Sequence, residues 1–150
     1  MSELARSLTY QDLLEQISRT CATGRNAALA AVNTQLLETY WQVGRQIVEF
    51  EQGGKDRAEY GAGLMERLSA DLRLRHGKGF SRSNLSYMRM FYLCHPIRQT
   101  ASDELSWSHH VELLKLDDPL ERGFYEQQAI AERWSVAASI GRDLSRHGGG

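Results

Sequence analysis

"NAALAAVNTQLLETYWQVGRQIVEFE", residues Asn26 to Glu51, holds its apolar side chains in two adjacent rows. Leu29, Val32, Leu36, Tyr40, Val43 and Ile47 form one row, and Leu37, Trp41, Gly44 and Val48 the other. Steps of three and four residues mark a helix, and two rows side by side make a stripe that needs cover from other helices. Gly53-Gly54 ends the run, since glycine takes the backbone angles that stop a helix.

The same period extends to both sides. Tyr10, Leu13, Leu14, Ile17 and Cys21 predict an earlier helix with Thr9 as its N-cap. Thr23-Gly24 either breaks the chain between the two or merely bends it. Leu64, Leu68 and Leu72 place a third helix at about Glu59 to His76. Gly77 and Gly79 bracket a tight turn, and Ser81 is the expected N-cap of a fourth helix. That helix stops near Cys94, because a residue before proline (here His95-Pro96) is pushed out of the helical region. Further on, Ser108 is expected to cap His109 to Leu116. Asp118-Pro119-Leu120-Glu121 then reads as a start signal, with Asp as N-cap, Pro in first place and Glu as capping-box partner. Leu120, Phe124, Ala131 and Trp134 share one face of the helix it opens, and Ser135 is expected to cap a last short helix, Val136 to Leu144. No alternation long enough for a strand occurs. The chain therefore reads as all-α: one helical bundle domain over residues 1–147, then a glycine tail at 148–150.

Composition agrees with one soluble domain. The chain has 150 residues, 41% hydrophobic and 25% charged. No apolar run is long enough for a membrane span, and MSELARSLTYQDLLEQ lacks the apolar core of a secretory signal. Cys21 and Cys94 are isolated, which suits a cytoplasmic protein better than a disulfide scaffold or a zinc ribbon.

The net charge of −1 hides a strong local pattern. Residues 72–102 carry six basic side chains and no acid, whereas residues 103–132 carry two basic and eight acidic ones. Within the basic block lies "GKGFSRSNLSYMRMFY", Gly77 to Tyr92. Helix, glycine-containing turn and helix, over about residues 59–94, is the layout of a helix-turn-helix unit, whose second helix enters the major groove. On a helical wheel Leu85, Met88 and Tyr92 form a packing face. Arg82, Ser86 and Arg89 lie about a quarter-turn away, with Ser83 nearby. Arginine pairs bidentately with guanine, and serine bonds to base or phosphate. Arg73, Arg75, Lys78 and Asn84 are placed to support them at phosphate. The competing reading is an ordinary amphipathic helix with a solvated polar face. The absence of acids in the block favours DNA, since carboxylates repel phosphate.

Other chemistry finds less support. His109 and His110 are adjacent, so their side chains point about 100° apart and do not share a metal. No ligand spacing such as HExxH occurs, and Gly61-x-Gly63 lacks the strand and third glycine of a phosphate loop. Cys94-His95 has no mark of a nucleophile and its base. Trp41, Trp107 and Trp134 read as core residues. No catalytic residue, metal ligand or cofactor site is expected.

Tyr40 to Leu116 resembles the N-terminal domain of the YhcG family of bacterial proteins, a domain of unknown function associated with nucleases. The most specific pieces are YW-x-x-G at Tyr40 to Gly44, EYG at Glu59 to Gly61, LSADL at Leu68 to Leu72, and GKGFSRSNLSYMRMFY itself. LSWSH at Leu105 to His109 and FYEQQAIAERWSV at Phe124 to Val136 extend the likeness over nearly the whole chain. The resemblance implies a helical domain of helix-turn-helix or winged-helix character with a DNA-binding role. It also implies a nuclease domain of the PD-(D/E)XK type, in cis or in trans, as partner. The acids and lysine of such a nuclease have no match in these 150 residues, so the chain is expected to be the targeting half and not itself an enzyme. The family continues after WSV with a charged helix, whereas this chain reads WSVAASIGRDLSRHGGG. A protein-interaction or oligomerisation module is the alternative, with the apolar stripe of Asn26 to Glu51 pairing two chains as a homodimer.

Overall fold

The computed structural model describes residues 9–53 and 63–132. They form α1 (Tyr10–Glu51), α2 (Leu64–His76), α3 (Arg82–Cys94), α4 (Trp107–Leu114) and α5 (Pro119–Glu132). Short 3-10 turns, Lys78–Phe80 and Arg98–Thr100, lie on either side of α3. No strand occurs among the described residues, so the bundle is all-α and the winged variant has no wing there.

The first two expected helices are one. α1 runs unbroken for 42 residues, through Thr23-Gly24. A single glycine costs a helix only about 1 kcal/mol, and Ala22 and Arg25 close to Gly24 favour the helix. Thr9 caps α1 in a full capping box: its Oγ1 accepts from the Asp12 N–H, and Asp12 accepts from the Thr9 N–H at 3.0 Å.

The core sits where α3 crosses the C-terminal half of α1. Gly44 makes the crossing possible. A Cβ there would lie 2.0 Å from the Met88 carbonyl oxygen, so only glycine lets the two backbones approach this closely. Trp41 packs edge-on to Tyr92, and its Nε1–H donates to the His95 carbonyl at 2.7 Å, closing the end of α3. Leu37, Leu85, Met88 and Phe91 are fully buried around it. The packing face of α3 is thus Leu85, Met88 and Phe91; Tyr92, expected on that face, is half-buried at its edge.

Two later expectations shift. Ser106, not Ser108, caps α4, which runs from Trp107 to Leu114. The Ser106 Oγ accepts from the His109 N–H, and Trp107 is drawn into the helix because its ring wedges against Tyr40 and Phe91. In α5, Asp118 does act at the N-terminus, accepting from the Leu120 N–H at 3.0 Å. The buried face of α5, however, is Tyr125 and Ala129 against Leu105 and Leu113. Leu120 and Phe124 face solvent. Ala131 is exposed too, while Trp134 and the expected helix over 136–144 lie outside the described residues.

Candidate nucleic-acid interface

α2, the 3-10 turn and α3 form a continuous helix, turn and helix. The expected start of α2 at Glu59 falls outside the described residues; from Leu64 onward it is helical. Gly77 ends α2 with φ of +91°, the left-handed region that side chains disfavour. Ser69, buried in α2, donates to the Phe80 carbonyl at 2.9 Å and pins the turn against the helix. Ser81 caps α3 as expected, its Oγ accepting from the Asn84 N–H at 3.1 Å.

Asn84 locks this corner from inside. Its Nδ2 donates to the Gly79 carbonyl at 2.6 Å, and its Oδ1 accepts from the Trp107 Nε1–H at 2.8 Å. Both ends of its amide are engaged in the fold, so it holds the turn, α3 and α4 together. Ser86 is half-buried and Ser83 exposed.

With Phe91 in the core, Arg82, Ser86 and Arg89 centre about a third of a turn from the packing face rather than a quarter-turn from it. Arg82 and Arg89 are two turns apart, about 10 Å along the axis. Each has an acidic neighbour from another helix. Arg82 Nη2 lies 3.2 Å from Glu66 Oε1 of α2, and Arg89 Nε lies 2.6 Å from Glu51 Oε1 at the end of α1. The block is free of acids along the sequence but not in space. Glu51 and Glu66 are the two members of this surface that sequence reading missed. No local signal marks them, since Glu51 is 38 positions from Arg89.

Arg73 and Lys78 line one shallow depression with Leu74 and Gly77. Arg73, Arg75 and Lys78 are all exposed and make no ion pair among the described residues. Arg98, the sixth base of the block, is structural: it is mostly buried between Glu38 and Asp103, at 3.0 and 2.6 Å. The surface thus joins three unpaired cations at one end to two paired arginines along α3.

A second polar cluster lies at the C-terminal end of α3, in a cavity of about 160 Å³ lined by Cys94, His95, His110, Arg122 and Glu126 among others. His110 is almost wholly buried, and its Nε2 lies 2.9 Å from the Ser102 carbonyl oxygen. Burial pulls its pKa down to about 4, against the opposing pull of that hydrogen bond. His95 is lowered too, chiefly by burial and then by Arg122 and Arg98. Burial also raises Glu126. These shifts all favour neutral forms. No group of three or more His, Cys, Asp or Glu among the described residues is arranged to hold a metal ion.

Residues 16–144 match the model of the DUF1016 N-terminal domain. The chain belongs to that family. It is also 36% identical over 170 aligned residues to the Escherichia coli (strain K12) protein named "Putative nuclease YhcG". The alignment takes in 91% of this chain and 45% of that relative, so the chain spans about half the relative's length. No solved structure matches. The pieces that carried the YhcG-type resemblance now have physical roles. YW-x-x-G is the α1–α3 crossing, LSADL supplies Ser69, and LSWSH supplies the cap and the tryptophan of α4. EYG at residues 59–61 lies outside the described residues. No described helix is long and apolar enough to cross a membrane.

Proposed function

We propose that this domain binds DNA through the outer side of α2, the turn and α3, as a helix-turn-helix unit, and so positions an associated PD-(D/E)XK nuclease. The observation that carries the reading is the outward row of Arg82, Ser86 and Arg89 beside the unpaired Arg73, Arg75 and Lys78. The nuclease name of the relative supports the choice of partner. In this reading α3 meets the groove with Arg82, Ser83, Ser86 and Arg89, while Arg73, Arg75 and Lys78 hold phosphate. Asn84 serves by fixing the turn on which the others stand. The ion pairs with Glu51 and Glu66 are surface pairs, which contribute about 1 kcal/mol or less and exchange readily for phosphate. The chain itself performs no catalysis, and the domain works in the cytoplasm.

The double change Arg82→Glu and Arg89→Glu tests this. DNA binding at low salt should be lost while the helical circular dichroism persists. Wild-type affinity should also fall steeply with salt, because each phosphate contact releases counterions. Unchanged affinity in the charge-reversed protein would overturn the reading.

One observation favours the interaction-module reading instead. Leu13, Ile17, Leu29 and Val32 are exposed along the N-terminal half of α1. A chain that self-associates and shows no DNA binding at low salt would establish that reading in place of the first.

A further inference from the structure

The expected dimer stripe, Asn26 to Glu51, is used within the chain over its second half: Leu37, Trp41 and Gly44 pack against α3, and Val48 on the same row is buried. The face left over is a different one. Every residue from Thr9 to Val32 is exposed. Tyr10, Leu14, Ile17, Cys21, Ala28 and Val32 fall within about 60° of one another on the helical wheel. Their centre lies nearly opposite that of Leu37, Trp41, Gly44 and Val48, so the body that covers the second half of α1 sits on the wrong side to cover the first. Tyr10 and Val32 are 73% and 65% exposed. An unsupported helix of this length, with Thr20, Thr23 and Gly24 at its middle, is marginal in water.

Four of the positions on this face are symmetric about Cys21. Tyr10 and Val32 are equally distant from it, and so are Leu14 and Ala28. The first half of the face carries the bulkier side chains (Tyr10, Leu14, Ile17), and the second carries Gly24, Ala28 and Val32. Laid antiparallel on itself, the face sets Leu14 against Ala28, Ile17 near Gly24 and Tyr10 against Val32, each time a bulkier side chain against a smaller one. Parallel pairing would crowd one end and leave a gap at the other. The six residues of the arc are uncharged. Arg25 lies at its edge.

We infer that the N-terminal half of α1 is a homodimer interface. Two copies pair antiparallel about a two-fold axis through Cys21, each face being its own complement. A face from Tyr10 to Val32 is about 33 Å long, and two such faces bury on the order of 1,200 Å² in all, at the lower end of the range for a stable interface. The pair would carry two copies of the α2–turn–α3 surface. The inference stands apart from the DNA reading: a monomer that binds DNA sinks it alone, and a dimer that binds none leaves it intact.

Light scattering at high micromolar concentration should give twice the chain mass, and Ile17→Glu should halve it while the core still unfolds cooperatively. Mild oxidation should link two chains through Cys21, since a two-fold axis there brings the two sulfurs within disulfide reach, and Cys21→Ser should abolish the link. Orientation is read from two further proteins, Leu14→Cys and Ala28→Cys, each with Cys21→Ser. Antiparallel pairing cross-links them when mixed and neither one alone. A wild-type chain that stays monomeric overturns the inference. Cross-linking of each protein with itself, and not with the other, overturns the antiparallel arrangement.

Discussion

Gly44 shows how much of the fold rests on one absent side chain. The atoms nearest its would-be Cβ are backbone atoms of Met88, which have no rotamer through which to yield. Gly44→Ala should push α1 and α3 apart and destabilise the domain by about 1–3 kcal/mol or more, read from denaturant unfolding. Gly123→Ala is the control. Nothing lies within 4 Å of its would-be Cβ, so the change should stabilise α5, by about 1 kcal/mol or less. His110 gives the second prediction at this scale. Its folded pKa, about 4, lies below the usual 6.5, so below pH 6.5 the unfolded chain takes up a proton that the folded one refuses. The contribution of His110 to stability should fall as pH drops from 6.5 to 4 and level off below, a loss on the order of 3 kcal/mol, and His95, also lowered by burial, steepens the fall. Glu126, raised by burial, works the opposite way above its ordinary 4.5 and softens the lower end of that fall. His110→Asn should reduce the slope of unfolding free energy between pH 6.5 and 4.

Helices were legible wherever a cap or a period marked them. Thr9 and Ser81 cap α1 and α3 as their sequences imply, because a hydroxyl beside free N–H groups is a local fact. Ser81→Ala should cost about 1 kcal/mol of stability, measured by thermal unfolding, and loosen the start of α3 first. What local pattern could not decide was competition between equals. Ser106 and Ser108 are both plausible caps, and the contacts of Trp107 with Tyr40, Phe91 and Asn84, all distant in sequence, choose between them. The same holds for α5, where Leu113 and Leu105 select Tyr125 over Phe124 as the inward aromatic. Thr23-Gly24 was ambiguous because a lone glycine is compatible with a continued helix and with a break.

For the molecule as a whole, charge counted along the chain misled in one respect. The basic block holds no acid, yet folding delivers Glu51 and Glu66 to its two central arginines. The candidate surface was legible as a list of cations; which were paired was not, because pairing is set by the packing of α1 and α2 against α3. These acids also sharpen the functional claim. If Arg82 and Arg89 meet DNA, their carboxylate partners compete with phosphate, and removing the two negative charges must strengthen binding. The most direct measurement is a low-salt anisotropy titration of a labelled DNA duplex with three proteins side by side. Glu51→Gln with Glu66→Gln should bind several-fold tighter than wild type, and Arg82→Glu with Arg89→Glu should not bind. Equal affinity in all three would contradict the account.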